Sequence, residues 1–359
     1  MLKFVCLIMS KEVIFTESRG KVASGRRLPF YLAAEEYLAA RRPDEPLFLL
    51  WQVGPTVIFG RNQDPASELD IDWCEEHGVE YYRRKSGGGC VYADWGNLMI
   101  SCIYPGAGVK DGFARFSSSV CEALRSLGFA AEVSGRNDIL VRGRKVSGAA
   151  FFALPSVGIV HSTMLLDADP ASMQAALKPS AAKLGAKGVK SVSSRICTLR
   201  EFRPDLRLDV LAGALRTALS AQGAPGSLLL DESDVAEIER IESTYLDRDF
   251  IMGRHGGREE GSRTVAGEGY VEGCGFIKAE IQIVGNKILN VSINGDFFTG
   301  EFADGLSQSP DLSETLSRLL AGEEPTREAV AAALGGIRLE EMVSGLTSAA
   351  FVDILFRNC

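Results

Sequence analysis

The residues from Arg83 to Asn97 read RRKSGGGCVYADWGN. Three cations, Arg83, Arg84 and Lys85, run into Gly87, Gly88 and Gly89 with only Ser86 between them. Glycines carry no Cβ, so their N–H groups can turn into one concavity and let a ligand approach closely. Guanidinium groups at the rim suit a phosphate or a carboxylate, which they grip in pairs of hydrogen bonds. The stretch reads as an anion site, although a glycine-rich hairpin with solvated charges would carry the same letters. It is not a P-loop, because no Gly-Lys-Ser/Thr follows, nor a GxGxxG dinucleotide turn.

Two further segments could work with it. GRNDILVRGRKVSG, from Gly135 to Gly148, sets Lys145 on a strand just after a tight turn. An ammonium on a long stem can reach an α-phosphate or a polarised carbonyl. Asp138 could orient that lysine or hold Mg²⁺, and a hairpin with both groups in solvent is the plain alternative. LKPSAAKLGAKGVKSVSSRICTLR, from Leu177 to Arg200, carries Lys178, Lys183, Lys187, Lys190, Arg195 and Arg200 without one acidic residue. In a chain of net charge −8 that is a concentrated positive segment. It suits a loop closing over a nucleotide or an acidic partner, or else a solvated helix end.

Strands and helices mix around these segments. PFYLAAEEYLAARR, from Pro29, reads as a helix with proline at its start and a cationic end. LFLLWQV and TVIFG, VEYYRR, and NLMISCIY read as strands, the last two flanking the glycines as a strand–loop–strand unit. Phe113, Phe116, Val120, Leu124 and Leu127 share a helical face that Gly128 ends. Residues 137 to 152 read as a hairpin turning at Arg142-Gly143. Residues 158 to 168 read as a further antiparallel strand, then a short helix capped by Asp169. Residues 246 to 267, Gly-rich and charged, read as a linker or mobile loop. GFIKAEIQIVGNKILNVSING then reads as a hairpin about Gly285-Asn286, followed by helical pieces.

With 359 residues, 46% of them hydrophobic, the chain is long enough for two domains at about 150 residues each. Its negative charge argues against broad nucleic-acid binding. Its eight cysteines form no CxxC pair and only three histidines are present, which speaks for reduced thiols rather than a zinc or disulfide framework. No apolar run reaches the ~20 residues of a membrane span, and the apolar start is too short for a cleaved signal. A cytoplasmic protein is expected.

Together the segments resemble the lipoate–protein ligase A family, in the biotin/lipoate protein ligase superfamily. That family's RRxSGGGxVFHDxGN stands here as RRKSGGGCVYADWGN, and its RND…RKVSGxA as GRNDILVRGRKVSGAA. Its HGTLLLNAD stands as HSTMLLDAD and its LAAKGxxSVxSRVTNL as LGAKGVKSVSSRICTL, in the same order. The resemblance implies an α+β fold: a mixed, largely antiparallel sheet flanked by helices in residues 12 to 245. It also implies a small α+β accessory domain in residues 268 to 359.

It further implies ATP-dependent, AMP-forming activation of lipoate, or octanoate, and transfer of the lipoyl group to a lysine of a lipoyl domain. The acceptors implied are 2-oxoacid dehydrogenase E2 subunits and the glycine cleavage H protein, served by a monomer. Lys145 is then the catalytic lysine. Arg84, Gly89, Cys90, Val91, Tyr92, Asp138 and Lys145 match the ATP-contacting positions, with Asp138 the metal candidate. Ser86, Gly87, Gly88, Gly89 and Lys145 would hold the lipoyl end, and Lys183, Lys187 and Arg195 would close over the adenylate.

Three departures stand out: Ala93 replaces the pattern's histidine, Ser162 its second glycine, and the hairpin before Lys145 is short. They leave room for a lipoyl-adenylate-binding protein without catalysis. An ATP-independent lipoyl or octanoyl transferase is a further alternative, but its nucleophilic cysteine would stand near residues 134 to 140. No cysteine occurs between Cys121 and Cys197. A biotin ligase is a fourth reading. Cys90 reads as a small apolar filler and His161 as a hydrogen-bonding strand residue.

Overall fold

The computed structural model describes residues 10–16, 18, 21–41, 43–106, 108–135, 137–154, 156–178, 196–220, 226–253, 261–298 and 312–357. Two nine-residue apolar runs, β6 (Asn97–Pro105) and β10 (Val157–Leu165), pair antiparallel at the middle of an eight-stranded sheet. The remaining strands are β1 (Lys11–Phe15), β2 (Leu47–Trp51), β7 (Ala131–Ser134), β8 (Asp138–Val141), β9 (Arg144–Leu154) and β11 (Ser227–Leu230). The order across the sheet is β11–β1–β2–β6–β10–β9–β8–β7. Only β1 pairs in parallel, with β2 and β11; every other pairing in this sheet is antiparallel. The central strands lack polar alternation because helices cover both faces. Helix α4 (Val109–Ser126) and the helix Leu208–Leu219 share one apolar cluster with the sheet. Helix α1 (Leu28–Ala40) and the helix Glu232–Leu246 share another.

A second sheet holds the glycines. β3 (Thr56–Phe59) lies in its middle, parallel to β4 (Glu80–Arg83) and antiparallel to β5 (Val91–Ala93). The two strands read as flanking the glycines, VEYYRR and NLMISCIY, lie in different sheets, as β4 here and β6 in the large sheet. β4 and β5 flank β3, and residues 84 to 90 cross over its end. Helix α5 (Pro170–Ala176) packs on this sheet, with Asp169 accepting from the N–H groups of Ala171 and Ser172 as its cap.

The C-terminal sheet is an antiparallel meander of β12 (Arg263–Val271), β13 (Gly275–Val284) and β14 (Lys287–Gly295). The β13–β14 turn falls at the glycine read from the sequence, Gly285 at φ +61°. Alternate residues such as Ile277, Ile281 and Ile293 pack on the helices Leu312–Leu320, Arg327–Leu334 and Ser348–Leu355. The expected linker, residues 246 to 267, is partly regular. Asp247 caps a short helix, Arg248–Met252, and β12 begins at Arg263. Residues 254 to 260 lie outside the described ones. Among the described residues no helix is long and apolar enough to cross a membrane.

Candidate active site

Arg84 organises the glycine loop from inside. It is only 5% exposed. Its Nε donates to Ser86 Oγ (2.9 Å), its Nη1 to the Ile58 carbonyl (3.1 Å), and its Nη2 to the carbonyls of Gly87 (2.7 Å) and Gly89 (2.8 Å). Burial pulls the guanidinium pKa down to about 10, which still leaves it charged at neutral pH. In a trans peptide the C=O and the following N–H point in opposite directions. Turning two carbonyls toward Arg84 thus directs the N–H groups of Gly88 and Cys90 away from it. The Gly88 N–H meets the carbonyl of Phe297, at 3.2 Å. Gly88 has φ +92°, a conformation that favours glycine.

The other two cations of the motif do not form a rim. Arg83 donates from Nε to the Phe250 and Ile251 carbonyls and from Nη1 to those of Gly60, Arg61 and Gln63. Lys85 pairs with Glu36 at 2.8 Å and lies over the Tyr245 ring. Both fasten the loop's flanks to the scaffold, and neither lines the cavity.

Lys145 owes its direction to a β-bulge. Asp138 faces Gly148 and Ile139 faces Ser147, but Leu140 faces Lys145, so β9 carries an extra residue there. An odd spacing of three would put Lys145 and Gly148 on opposite faces of a regular strand; the bulge brings them together. A Cβ on Gly148 would lie 2.4 Å from Lys145 Nζ, so only glycine leaves the ammonium its place. Nζ pairs with Asp138 Oδ1 at 2.7 Å, the orienting contact the sequence suggested. The backbone of Lys145 also bridges to Ile196, and Cys197 N donates to its carbonyl at 2.9 Å. The positive segment therefore returns to the fold beside the lysine. Lys183, Lys187 and Arg195 themselves lie outside the described residues.

Loop and lysine line the same cavity, of about 270 Å³. Arg84, Gly88, Gly89, Cys90, Val91, Asp138 and Lys145 all border it. Leu28, Leu32, Trp51, Ile58 and Met99 supply apolar wall, and Asp296 and Phe298 reach it from the C-terminal unit. Phe298 meets Phe113 edge-on at 6.2 Å between ring centroids. Ser86, Gly87 and Tyr92 do not border the cavity. A Cβ on Gly87 would stand 2.4 Å from the Phe297 carbonyl, so that glycine serves the contact with the C-terminal unit. Tyr92 is buried among the residues under α5. Cys90 is half-buried on the cavity wall rather than filling the core.

Ala93 is fully buried beside the α1 cluster. Ser162 borders the cavity with its Oγ 2.8 Å from Ser147 Oγ. Asp94 accepts from the N–H groups of Gly96 (2.8 Å) and Asp169 (2.9 Å), and burial raises its pKa. It fixes the turn into β6 and the start of α5.

Sequence reading missed Glu35. It is 2% exposed in the apolar helix α1 and accepts from Ser101 Oγ, with His161 Nδ1 2.8 Å from its Oε2. His161 Nε2 in turn lies 2.7 Å from Ser86 Oγ. An acid on the inward side of an apolar helix was the available signal, because buried carboxylates are nearly always paired.

A lysine and a glycine loop thus share a cavity with apolar side chains on a mixed sheet, an arrangement able to hold an acyl chain beside a phosphate. The lipoyl protein ligase A/B catalytic domain matches residues 28–220, and the chain belongs to that family. It is 33% identical to the lipoate–protein ligase LplJ of Bacillus subtilis, over 90% of this chain and 96% of that one. The fold is shared with Plasmodium falciparum LipL1, solved with lipoate, at TM-score 0.71 and 18% identity over 96% of this chain and 97% of that one. It is shared too with a lipoate–protein ligase A solved with ATP, at TM-score 0.58 and 23% identity over 68% and 99%.

Proposed function

We infer that the chain is an ATP-dependent lipoate–protein ligase. One observation carries the reading: the Lys145 ammonium and the glycine loop border a single cavity that Leu28, Leu32, Trp51, Ile58 and Met99 also line. The lipoyl chain would lie against those apolar residues with its carboxylate toward Lys145. That carboxylate attacks the α-phosphorus of ATP; an acyl–phosphate bond forms and pyrophosphate leaves. The ε-amine of a lipoyl-domain lysine then attacks the acyl carbon, an amide forms, and AMP departs.

Such transfers need positioning and charge neutralisation more than covalent help. Lys145 would supply the charge at the acyl-phosphate junction, with Asp138 holding the ammonium in line. Arg84, Gly88, Gly89, Cys90 and Val91 would frame the phosphate end, Arg84 by shaping the loop. The segment with Lys183, Lys187 and Arg195 would cover the adenylate and keep water out. Mg²⁺ usually binds through substrate phosphates and one or two carboxylates. Asp138 is a cavity carboxylate such an ion could reach.

E2 lipoyl domains and the glycine cleavage H protein are the acceptors to try. The test is lipoate-dependent exchange between ATP and pyrophosphate. Lys145→Ala should lower it ~10²–10³-fold, the range for losing one preorganised charge-stabilising group. Exchange at the wild-type rate in that variant would overturn the role of Lys145.

A further inference from the structure

A line of hydrogen bonds runs from the large sheet to the glycine loop along the cavity wall, which Trp51 and His161 border. Trp51 Nε1 donates to Ser101 Oγ (2.8 Å), and Ser101 Oγ donates to Glu35. Glu35 holds His161 Nδ1, His161 Nε2 meets Ser86 Oγ, and Ser86 Oγ accepts from Arg84 Nε. We propose that Glu35 and His161 are positioning residues for the reaction, fixing the shape of the glycine loop through Ser86. The proposal rests on the ligase reading above.

Counting protons gives the line its direction. A carboxylate only accepts, so Nδ1 of His161 carries the hydrogen. If the ring is neutral, Nε2 accepts and the Ser86 hydroxyl hydrogen points there. This leaves the lone pairs of Ser86 Oγ for Arg84 Nε. The guanidinium is planar and rigid, so fixing Nε also fixes Nη2. Nη2 grips the carbonyls of Gly87 and Gly89 and thereby aims the N–H groups that follow them. One carboxylate on α1 thus sets peptide planes in a loop that belongs to another sheet. An unpaired charge at a site this buried is costly, and an apolar residue would suit α1 better. The relay gives the acid a purpose there.

A serine, a histidine and a glutamate in sequence also match a nucleophilic relay. Two observations favour positioning. Ser86 is 2% exposed and does not border the cavity, and its oxygen already accepts from Arg84. It is turned into the scaffold, away from an acyl group.

The test compares Glu35→Gln, His161→Gln, His161→Ala, Ser86→Ala and the double variant Glu35→Gln/Ser86→Ala. Glutamine at position 35 can offer N–H to Nδ1, which inverts the ring tautomer and points Nε2–H at Ser86. In the exchange assay kcat should fall ~10–100-fold, as when an outer-shell orienting partner is lost. KM for lipoate should stay within about threefold, because the loss lies in the transition state. His161→Gln keeps one acceptor and one donor and should recover part of the His161→Ala loss. The double variant should be no slower than Ser86→Ala alone, since both act through one hydroxyl.

Hydrogen exchange of the amides of residues 86 to 89, measured without substrate, should be faster in Glu35→Gln. Wild-type loop protection in Glu35→Gln, or losses that multiply in the double variant, would overturn the relay. If the wild-type protein shows no lipoate-dependent exchange, the ligase reading falls, while loop protection still judges the relay.

Discussion

Among the described residues, Arg84 and Lys145 border the cavity, and they are held in opposite ways. Arg84 is buried and grips four acceptors of its own loop and of β3. The Lys145 side chain is 20% exposed and pairs with Asp138. A fork tied to several carbonyls cannot move without unfolding the loop, whereas a single charge on a flexible stem can leave its partner for a substrate oxygen. On the proposed reading, the contrast suits Arg84 to shaping the loop and Lys145 to stabilising charge on the substrate. The sequence motif, which sets three cations beside three glycines, suggests instead that Arg84 meets the ligand's charge directly.

Substitutions separate the two roles. Lys145→Ala should remove most of the exchange activity while moving the unfolding midpoint by only about 2–4 °C, as for losing a partly exposed ion pair. Calorimetry beside the exchange assay checks this, and a collapse in stability would erase the contrast. Arg84→Lys should damage both. One ammonium cannot serve four acceptors, and stranding buried carbonyls costs about 3–5 kcal/mol in total, readable by urea unfolding. Exchange should fall with it by ~10²-fold as the loop shifts.

Gly87→Ala sharpens the picture from the C-terminal side. Its Cβ would fall 2.4 Å from the Phe297 carbonyl. The clash should cost about 1–3 kcal/mol and speed amide exchange at residues 295 to 298; unchanged protection there would remove the proposed contact. Ser162→Ala should matter least. It breaks the bond to Ser147 Oγ at about 1 kcal/mol, and a large loss of exchange would make Ser162 part of the machinery.

Much of this was legible in the letters. The helix read from Pro29, the hairpin turning at Arg142-Gly143 and the strand read over residues 158 to 168 all stand in the fold, as Leu28–Ala40, β8–β9 and Val157–Leu165, with only their ends moved. The pairing of Lys145 with Asp138 follows from their places on that hairpin. The second sheet was not legible, because nothing local tells β4 and β5 to flank β3 instead of each other. The bulge that aims Lys145 was hidden as well, since Val146 looks like any strand residue. Glu35 sits 51 positions before Ser86, and only the fold brings α1, β10 and the loop together. The positive charge of Arg83 and Lys85 misled because sequence shows charge and not its partners.

Mass spectrometry of an apo lipoyl domain, incubated with this protein, ATP, Mg²⁺ and lipoate, is the most direct check. The acceptor should gain one lipoyl group on a single lysine, with ATP required and with Lys145→Ala nearly inactive. Modification that proceeds without ATP, or that survives the loss of the ammonium at position 145, would contradict adenylate chemistry in this cavity.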